Sequence, residues 1–149
     1  MVYKFASGSH IKADPNVAGQ MCEQLEKTEG GLTAQTLLDA NRPEDATLHG
    51  VFEWDDTKAA EAYRLDQSRY ILRSLVIVPC ADKPKETVRA VFTLADGRYE
   101  STRNIFAVEE KRTALYTLAL RELAAFQRKY AALNELAPIW AAMEELTEQ

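Results

Sequence analysis

Cysteine and histidine are scarce in this chain, with two of each among 149 residues. Cys22 and Cys80 lie far apart and neither belongs to a Cys-x-x-Cys pair, which excludes a zinc finger and disfavours a disulfide scaffold. His10 and His49 have no serine in a nucleophile elbow and no cysteine at catalytic spacing. We therefore expect a protein that is not an enzyme, with no catalytic residue, no bound metal and no cofactor.

Long hydrophobic runs and an excess of positive charge are also lacking. The longest apolar runs, such as Leu75 to Val78, are far shorter than the roughly 18 to 20 residues that cross a bilayer, and the N-terminus has no secretory hydrophobic region. We expect a cytoplasmic protein with no membrane partner. The net charge of −5 argues against coating of nucleic acid by bulk electrostatics, although a local basic face stays compatible with it.

Hydrophobic residues make up 46% of the chain and charged residues 28%, while glycine and proline are few. This composition is typical of a folded protein with a real core. We expect a single α+β domain over residues 1–149. Its predicted parts are an N-terminal segment with one helix (1–31), a helical unit (32–73), a three-stranded antiparallel β-meander (74–104) and C-terminal helices (105–149).

Helix signals dominate the first half of the chain. Asp14-Pro15 and Thr33 are typical N-terminal caps, and Asn41-Arg42-Pro43 predicts a tight turn. Asp45 predicts a further short helix, and Asp55 or Asp56 a longer one. The approximate predicted helices are 14–28, 33–40, 46–51 and 55–73.

The spacing of the apolar residues then changes from the helical repeat to the alternation that is typical of strands. Leu75 to Val78, residues 87–94 and residues 98–102 predict the meander, with Asp96-Gly97 as a two-residue hairpin turn. Residues 105–149 are predicted to be helical with a bend near Pro138. Their apolar stripe, which needs a cover, contains Leu115, Leu118, Ala119, Leu123, Phe126, Tyr130, Leu133, Ile139, Trp140, Met143 and Leu146.

Residues 32–73 have roughly the layout of a helix-turn-helix unit, since two short helices separated by a tight turn precede a longer one. If the short helix 46–51 enters a major groove, Thr47 and His49 face base edges and nearby basic side chains hold phosphates. The predicted nucleic-acid-binding residues are Arg42, Thr47, His49, Lys58, Arg64, Arg69 and Arg73.

Two alternatives stay open. The segment 46–51 has no Arg, Lys, Asn or Gln and is surrounded by acidic residues, which favours a protein-binding module or inhibitor acting through an acidic surface. A virion or assembly component is a further alternative. The positions of the basic residues separate the hypotheses: one contiguous basic face favours DNA, whereas pairing with Glu61 and Asp66 favours a solvated surface.

The run Phe52-Glu53-Trp54-Asp55-Asp56 has two interpretations. Its aromatic residues and carboxylates suit core anchors at a capped helix start. The other interpretation is a divalent-metal site, although the spacing selects no particular metal.

The motif LT…LLxA…LHxxFEWDD…AAxxYR, carried by Leu32 to Ala40, Leu48 to Asp56 and Ala59 to Arg64, resembles a family of small uncharacterised phage and prophage proteins. The resemblance implies a phage-encoded protein in a bacterial host cell and no catalytic residue. Such a context implies a DNA-binding regulator or accessory, or an inhibitor that binds a host or phage protein, for example a defence protein. We expect a homodimer held partly by the C-terminal stripe.

Overall fold

The computed structural model of the chain describes residues 1–58, 60–79, 86–94 and 96–147. The predicted α+β class is confirmed, because helices at both ends accompany a three-stranded antiparallel sheet and a separate two-stranded one. The chain divides into two compact units, 1–105 and 106–149, at the start of the predicted C-terminal helices. Whether the two units behave as one domain stays a prediction. No helix in the described ranges is both long and apolar enough to cross a membrane.

The helices of the N-terminal unit begin where local capping chemistry allows. Helix α1 (Pro15–Glu26) starts after Asp14, whose carboxylate accepts the Asn16 N–H at 2.8 Å. Helix α2 (Ala34–Ala40) starts after Thr33, which forms a reciprocal capping box with Thr36. Both predicted caps are therefore confirmed. Helix α3 spans Glu61–Ser74, and α4 (Thr102–Ala107) ends the unit.

The sheet differs from the predicted meander in its membership. Strand β2 (Leu75–Val78) pairs with β1 (Val2–Phe5) on one side and with β3 (Val88–Arg89) on the other. Strands β4 (Val91–Thr93) and β5 (Tyr99–Ser101) form their own hairpin around Asp96-Gly97, where Gly97 has a φ of +78°.

The predicted strand 87–94 divides at Ala90, because the two polar backbone groups of this buried residue bond to different partners. The Ala90 N–H donates to the Leu75 carbonyl at 3.1 Å, while its carbonyl accepts the Thr102 N–H at 2.9 Å. The chain therefore leaves the first sheet at Ala90 and enters the second.

The core of the N-terminal unit lies between the three-stranded sheet and helices α1, α2 and α3. The fully buried large side chains include Leu32, Leu37, Leu38, Leu48, Ile71, Leu72 and Leu75. Helix α1 reaches β1 through Gly19, since a Cβ at this position would lie 2.2 Å from Cδ2 of Tyr3. The Tyr3 hydroxyl donates to Glu23, and burial raises the pKa of this phenol.

The substitution Gly19→Ala tests this contact. Alanine normally stabilises a helix interior by about 1 kcal/mol relative to glycine. Here we expect the opposite sign, a loss of about 2 kcal/mol in the free energy of unfolding, because the added methyl group displaces the Tyr3 ring. Urea unfolding measures the change. Gly50→Ala is the control, since no atom lies within 4 Å of its Cβ position, and equal stability of the two variants would contradict the close contact.

Cys22 lies in the same core at 3% exposure, and burial, with Glu26 and Glu23 nearby, raises the pKa of its thiol to about 12. In a Cys80→Ser background we expect iodoacetamide at pH 8 to alkylate Cys22 in urea and to leave the folded protein unmodified. The unfolded thiol releases its proton above about pH 8.5. The stabilisation from keeping Cys22 neutral is thus complete below that pH and is lost as the pH rises towards 12. Rapid alkylation of the folded chain would contradict this burial.

Candidate functional site

The predicted helix-turn-helix unit forms only in part. Helix α2 is present, but α3 begins at Glu61, five or more residues later than predicted from Asp55 or Asp56. The predicted short helix 46–51 does not form as an α-helix, because only the 3-10 helix His49–Val51 follows a series of turns. The segment 46–51, which was predicted to contact base edges, is therefore not a recognition helix.

Asn41 explains this correction. Its side chain is fully buried, and Nδ2 donates to the Leu37 carbonyl at 2.8 Å while Oδ1 accepts the Leu48 N–H at 3.1 Å. Its backbone carbonyl also lies 3.0 Å from Nδ1 of His49. These bonds return the chain to the end of α2, so residues 42–48 form a closed loop and not a helix.

Two of the exposed arginines predicted to hold phosphates, Arg42 and Arg69, are paired within the unit. Arg42 donates from Nε to Asp39 at 2.7 Å and from a terminal nitrogen to Glu61. These hydrogen bonds raise the pKa of the Arg42 guanidinium. Arg69 donates to Asp66 at 2.8 Å. Pairing with Glu61 and Asp66 is the arrangement that favours a solvated surface.

Arg64 is a buried structural residue, with a side chain only 9% exposed. Its Nε donates to the Glu53 carbonyl at 2.9 Å, and a terminal nitrogen pairs with Asp56. Its guanidinium carbon also lies 5.3 Å from the centre of the Trp54 ring. Because these contacts hold the guanidinium inside the loop, Arg64 has little surface left for a phosphate.

The remaining predicted positions do not combine into a basic face. Lys58 lies 3.8 Å from Asp55, and Thr47 is exposed on the loop after α2. Arg73 is exposed in the last turn of α3, where a cation complements the helix dipole. Among the described residues, therefore, the predicted cations are interspersed with carboxylates.

His49 stacks on Trp54 with ring centroids 4.7 Å apart and planes 8° from parallel. The Trp54 Nε1–H donates to the His49 carbonyl at 2.8 Å, and Phe52 packs on the same indole at 5.7 Å. His49 is half-buried, and its Nδ1 is engaged by Asn41. The ring predicted to face a base edge is thus part of an aromatic cluster.

The carboxylates of residues 52–56 are each engaged by the protein. Glu53 accepts the Asp55 N–H at 3.1 Å, Asp56 pairs with Arg64, and Asp55 accepts the Thr57 N–H at 2.9 Å. The Thr57 hydroxyl and N–H lower the pKa of Asp55. Asp55 therefore caps the turn 55–58 and not α3. Within the described ranges, no group of three His, Cys, Asp or Glu residues is arranged to hold a metal.

The motif residues thus share one structural role, which is to shape the connection from α2 to α3. Their contacts are hydrogen bonds, an ion pair and ring stacking between positions that lie up to 11 residues apart in sequence. Ala59 of the motif and Cys80 lie outside the described residues. The pairing of Arg64 with Asp56 could not be read from helix spacing, because Asp56 lies before the helix starts.

The C-terminal unit presents a different surface. It contains α5 (Glu109–Lys129), the 3-10 helix Asn134–Leu136 and α6 (Ala137–Thr147), with the predicted bend beside Pro138. No residue of 106–147 is buried. Its exposed large apolar side chains are Phe106, Tyr116, Leu123, Phe126, Leu133, Ile139 and Leu146.

An aromatic cluster joins the two helices of this unit. The Phe126 ring lies 4.7 Å from Tyr130 and 6.0 Å from Trp140. The Trp140 Nε1 atom is shielded from solvent and has no hydrogen-bond partner in the described part of the chain. This cluster fixes where α6 meets α5 but leaves Phe126 48% exposed.

Replacing Arg64 tests whether this arginine contributes more to the stability of the fold than an exposed arginine does. We expect Arg64→Ala to lower the free energy of unfolding by about 2 kcal/mol, because it leaves the half-buried Glu53 carbonyl without its donor and removes the guanidinium from the Trp54 ring. Arg69→Ala, which removes an exposed pair on the same helix, is expected to change it by less than about 1 kcal/mol. Urea unfolding compares the two variants. A loss for Arg64→Ala no greater than that for Arg69→Ala would contradict the structural assignment.

Comparison with known proteins adds no assignment. No family model matches the chain, and no curated protein or solved structure is significantly similar to it. The likeness to phage-encoded proteins, and with it the bacterial host location, therefore stays a prediction. Nucleic-acid binding through residues 32–73 also stays a prediction, and the geometry of the loop after α2 gives it little support.

Proposed function

We propose that this protein is a non-enzymatic protein-binding module that acts as a homodimer through its C-terminal helices. The observation that carries the proposal is the apolar surface of residues 106–147, where no side chain is buried and seven large apolar side chains are exposed. Contiguous exposed apolar surface of this kind marks protein interaction sites.

Physical chemistry requires a partner for these helices. Helices in water gain most of their stability from burying an apolar face, and intrinsic propensity alone is marginal. The only ring cluster inside the described C-terminal unit is the one around Phe126, and the apolar residues of the unit are at most half-buried. A second helix packed against α5 supplies the missing burial.

The spacing on α5 selects a helix as that partner. Tyr116, Ala119, Leu123, Phe126 and Tyr130 follow each other at intervals of three and four residues. This is the 3.5-residue repeat of a coiled-coil seam, in which side chains of one helix insert between those of another. The first four of these side chains are exposed. The seam is therefore open along about three turns of helix.

Side-chain size favours a second, antiparallel copy of α5. The first turn, Glu109 to Arg112, has two carboxylates and two cations, so charge at this end selects neither orientation. Centring the pair between Ala119 and Leu123 places the small side chain opposite the large one.

The same register places Tyr116 opposite Phe126, and Arg112 opposite Tyr130. Both pairs are favourable, the first through aromatic contact and the second through a cation above a ring. An isologous interface of this kind closes on itself as a dimer. A further partner, such as a host or phage protein, binds to the surfaces that the dimer leaves free.

The test is the mass in solution of the full chain and of matched variants. We expect a mass of twice the 16.8 kDa chain, and we expect Leu123→Glu to shift it to a single chain, since each added carboxylate is buried against Ala119 of the other copy with no cation opposite it. Val88→Glu is the control, because Val88 is similarly exposed but lies on β3. Light scattering after size exclusion provides the measurement.

A single-chain mass for the unmodified protein would overturn the proposal. A larger ring or lattice would favour a virion or assembly component instead. Double-stranded DNA is added to the same samples at about 50 mM salt, where phosphate contacts are strong. Micromolar binding to DNA that weakens with salt and is lost in Arg73→Ala would favour the nucleic-acid hypothesis over this one.

A further inference from the structure

A groove of about 400 Å³ lies in the N-terminal unit beside α3. Its floor is one face of that helix, with Tyr63, Gln67 and Tyr70 at positions i, i+4 and i+7. Residues 10–12 form one wall and residues 50–51 part of another. The volume is within the roughly 300 to 1,000 Å³ range of small-molecule sites.

Hydrogen bonds fix both walls to the floor. The Gln67 side chain accepts the Glu53 N–H at 3.1 Å and donates to the Val51 carbonyl at 3.4 Å. The Tyr70 hydroxyl accepts the His10 N–H at 3.1 Å. This hydrogen bond and one from Ser9 lower the pKa of the Tyr70 phenol. Because these bonds join residues of the chain itself, they hold the walls of the groove in place.

Two features of the lining leave surface that a ligand could contact. The Tyr63 side chain is 52% exposed and Tyr70 37%, so two aromatic rings on one helix face remain in contact with solvent. The Lys12 ammonium and the His10 imidazole have no side-chain partner among the described residues, in contrast to Arg42 and Arg69. The groove therefore combines aromatic surface with an uncompensated cation.

We propose that this groove binds a small planar aromatic anion of the chemical class of a nucleoside monophosphate. The ring of the ligand packs on Tyr63 and Tyr70, since aromatic rings stack on tyrosine regardless of the identity of the base. The anionic group receives hydrogen bonds from Lys12 and His10, and the one from the Lys12 ammonium strengthens because donor and acceptor are charged. Asp66 also lines the groove, and the oxygen that is not bonded to Arg69 accepts from amino or hydroxyl groups of the ligand.

This assignment is independent of the C-terminal helices, because every lining residue belongs to the N-terminal unit. The shared chemistry, a ring with an anionic group, is also present in aromatic carboxylates. Adenosine monophosphate and 4-hydroxybenzoate are therefore used as separate probes, with adenosine and inorganic phosphate supplying the ring and the anion alone.

The experiment is a titration of the full chain followed by amide chemical shifts. We expect a ring anion to shift amides of residues 10–12, 50–51 and 63–70 and to bind at least about tenfold more tightly than adenosine or phosphate. Tyr63→Ala should weaken binding about tenfold through lost stacking. Lys12→Gln should weaken binding of the ring anion while leaving that of adenosine unchanged.

Each control removes an exposed side chain outside the groove and the proposed seam. Val88→Ala shortens an apolar side chain that is 42% exposed on β3, and Lys27→Gln removes an exposed lysine after α1. Both should bind as the unmodified protein does. The urea midpoint of each variant shows that it folds, which is expected because Tyr63 and Lys12 are exposed.

Three outcomes would overturn the proposal. The first is that neither ring anion, at concentrations up to about 5 mM, shifts the amides of the groove, because the dissociation constant is then weaker than millimolar. The second is unchanged affinity in both Tyr63→Ala and Lys12→Gln. The third is phosphate alone binding as tightly as the nucleotide, which would show an adventitious ion only.

Discussion

The buried side-chain amide of Asn41 is the interaction on which the N-terminal unit depends. An amide removed from water needs its donors and its acceptor satisfied, and Asn41 obtains its partners from Leu37 in α2 and from Leu48 at the end of the following loop. Satisfying them brings Leu48 into the core and His49 onto the end of α2. Trp54 then stacks on His49, and Arg64 covers Trp54. The start of α3 is thus positioned by a chain of contacts that begins with one amide.

The local parts of this fold could be predicted from the sequence, and the parts set by distant contacts could not. Asp14 and Thr33 cap their helices through bonds to residues two or three positions away, so their effect is visible in the sequence. Strand β1 was not predicted because four residues at the N-terminus gain strand structure only by pairing with Leu75–Val78. The short helix after Asp45 was predicted from its cap, but Asn41 competes for the same backbone groups. The hydrogen bonds that a buried side-chain amide forms with residues outside its own turn outweigh a weak helix propensity.

The candidate site also combines local features, which could be predicted, with features set by distant contacts, which could not. The apolar stripe of the C-terminal helices and its need for a cover follow from spacing alone, because helix periodicity is local. The pairing of Arg64 with Asp56 brings together residues from a loop and a helix, and nothing in their spacing indicates it. A list of basic residues therefore overestimates the positive surface of a mixed-charge chain. The groove beside α3 was invisible for the same reason, since residues 10–12 reach it from a distant part of the sequence.

Each unit of the chain contains one of its two tryptophans, and their surroundings are different. Trp54 is stacked on an imidazole beneath a guanidinium, whereas Trp140 packs edge-on against Phe126 and its ring nitrogen has no hydrogen-bond partner among the described residues. The indole emission of the protein is therefore a sum of two local reporters, one for each unit. Replacing either indole by phenylalanine leaves a single fluorophore, so the order in which the two units lose structure can be resolved optically without any added label.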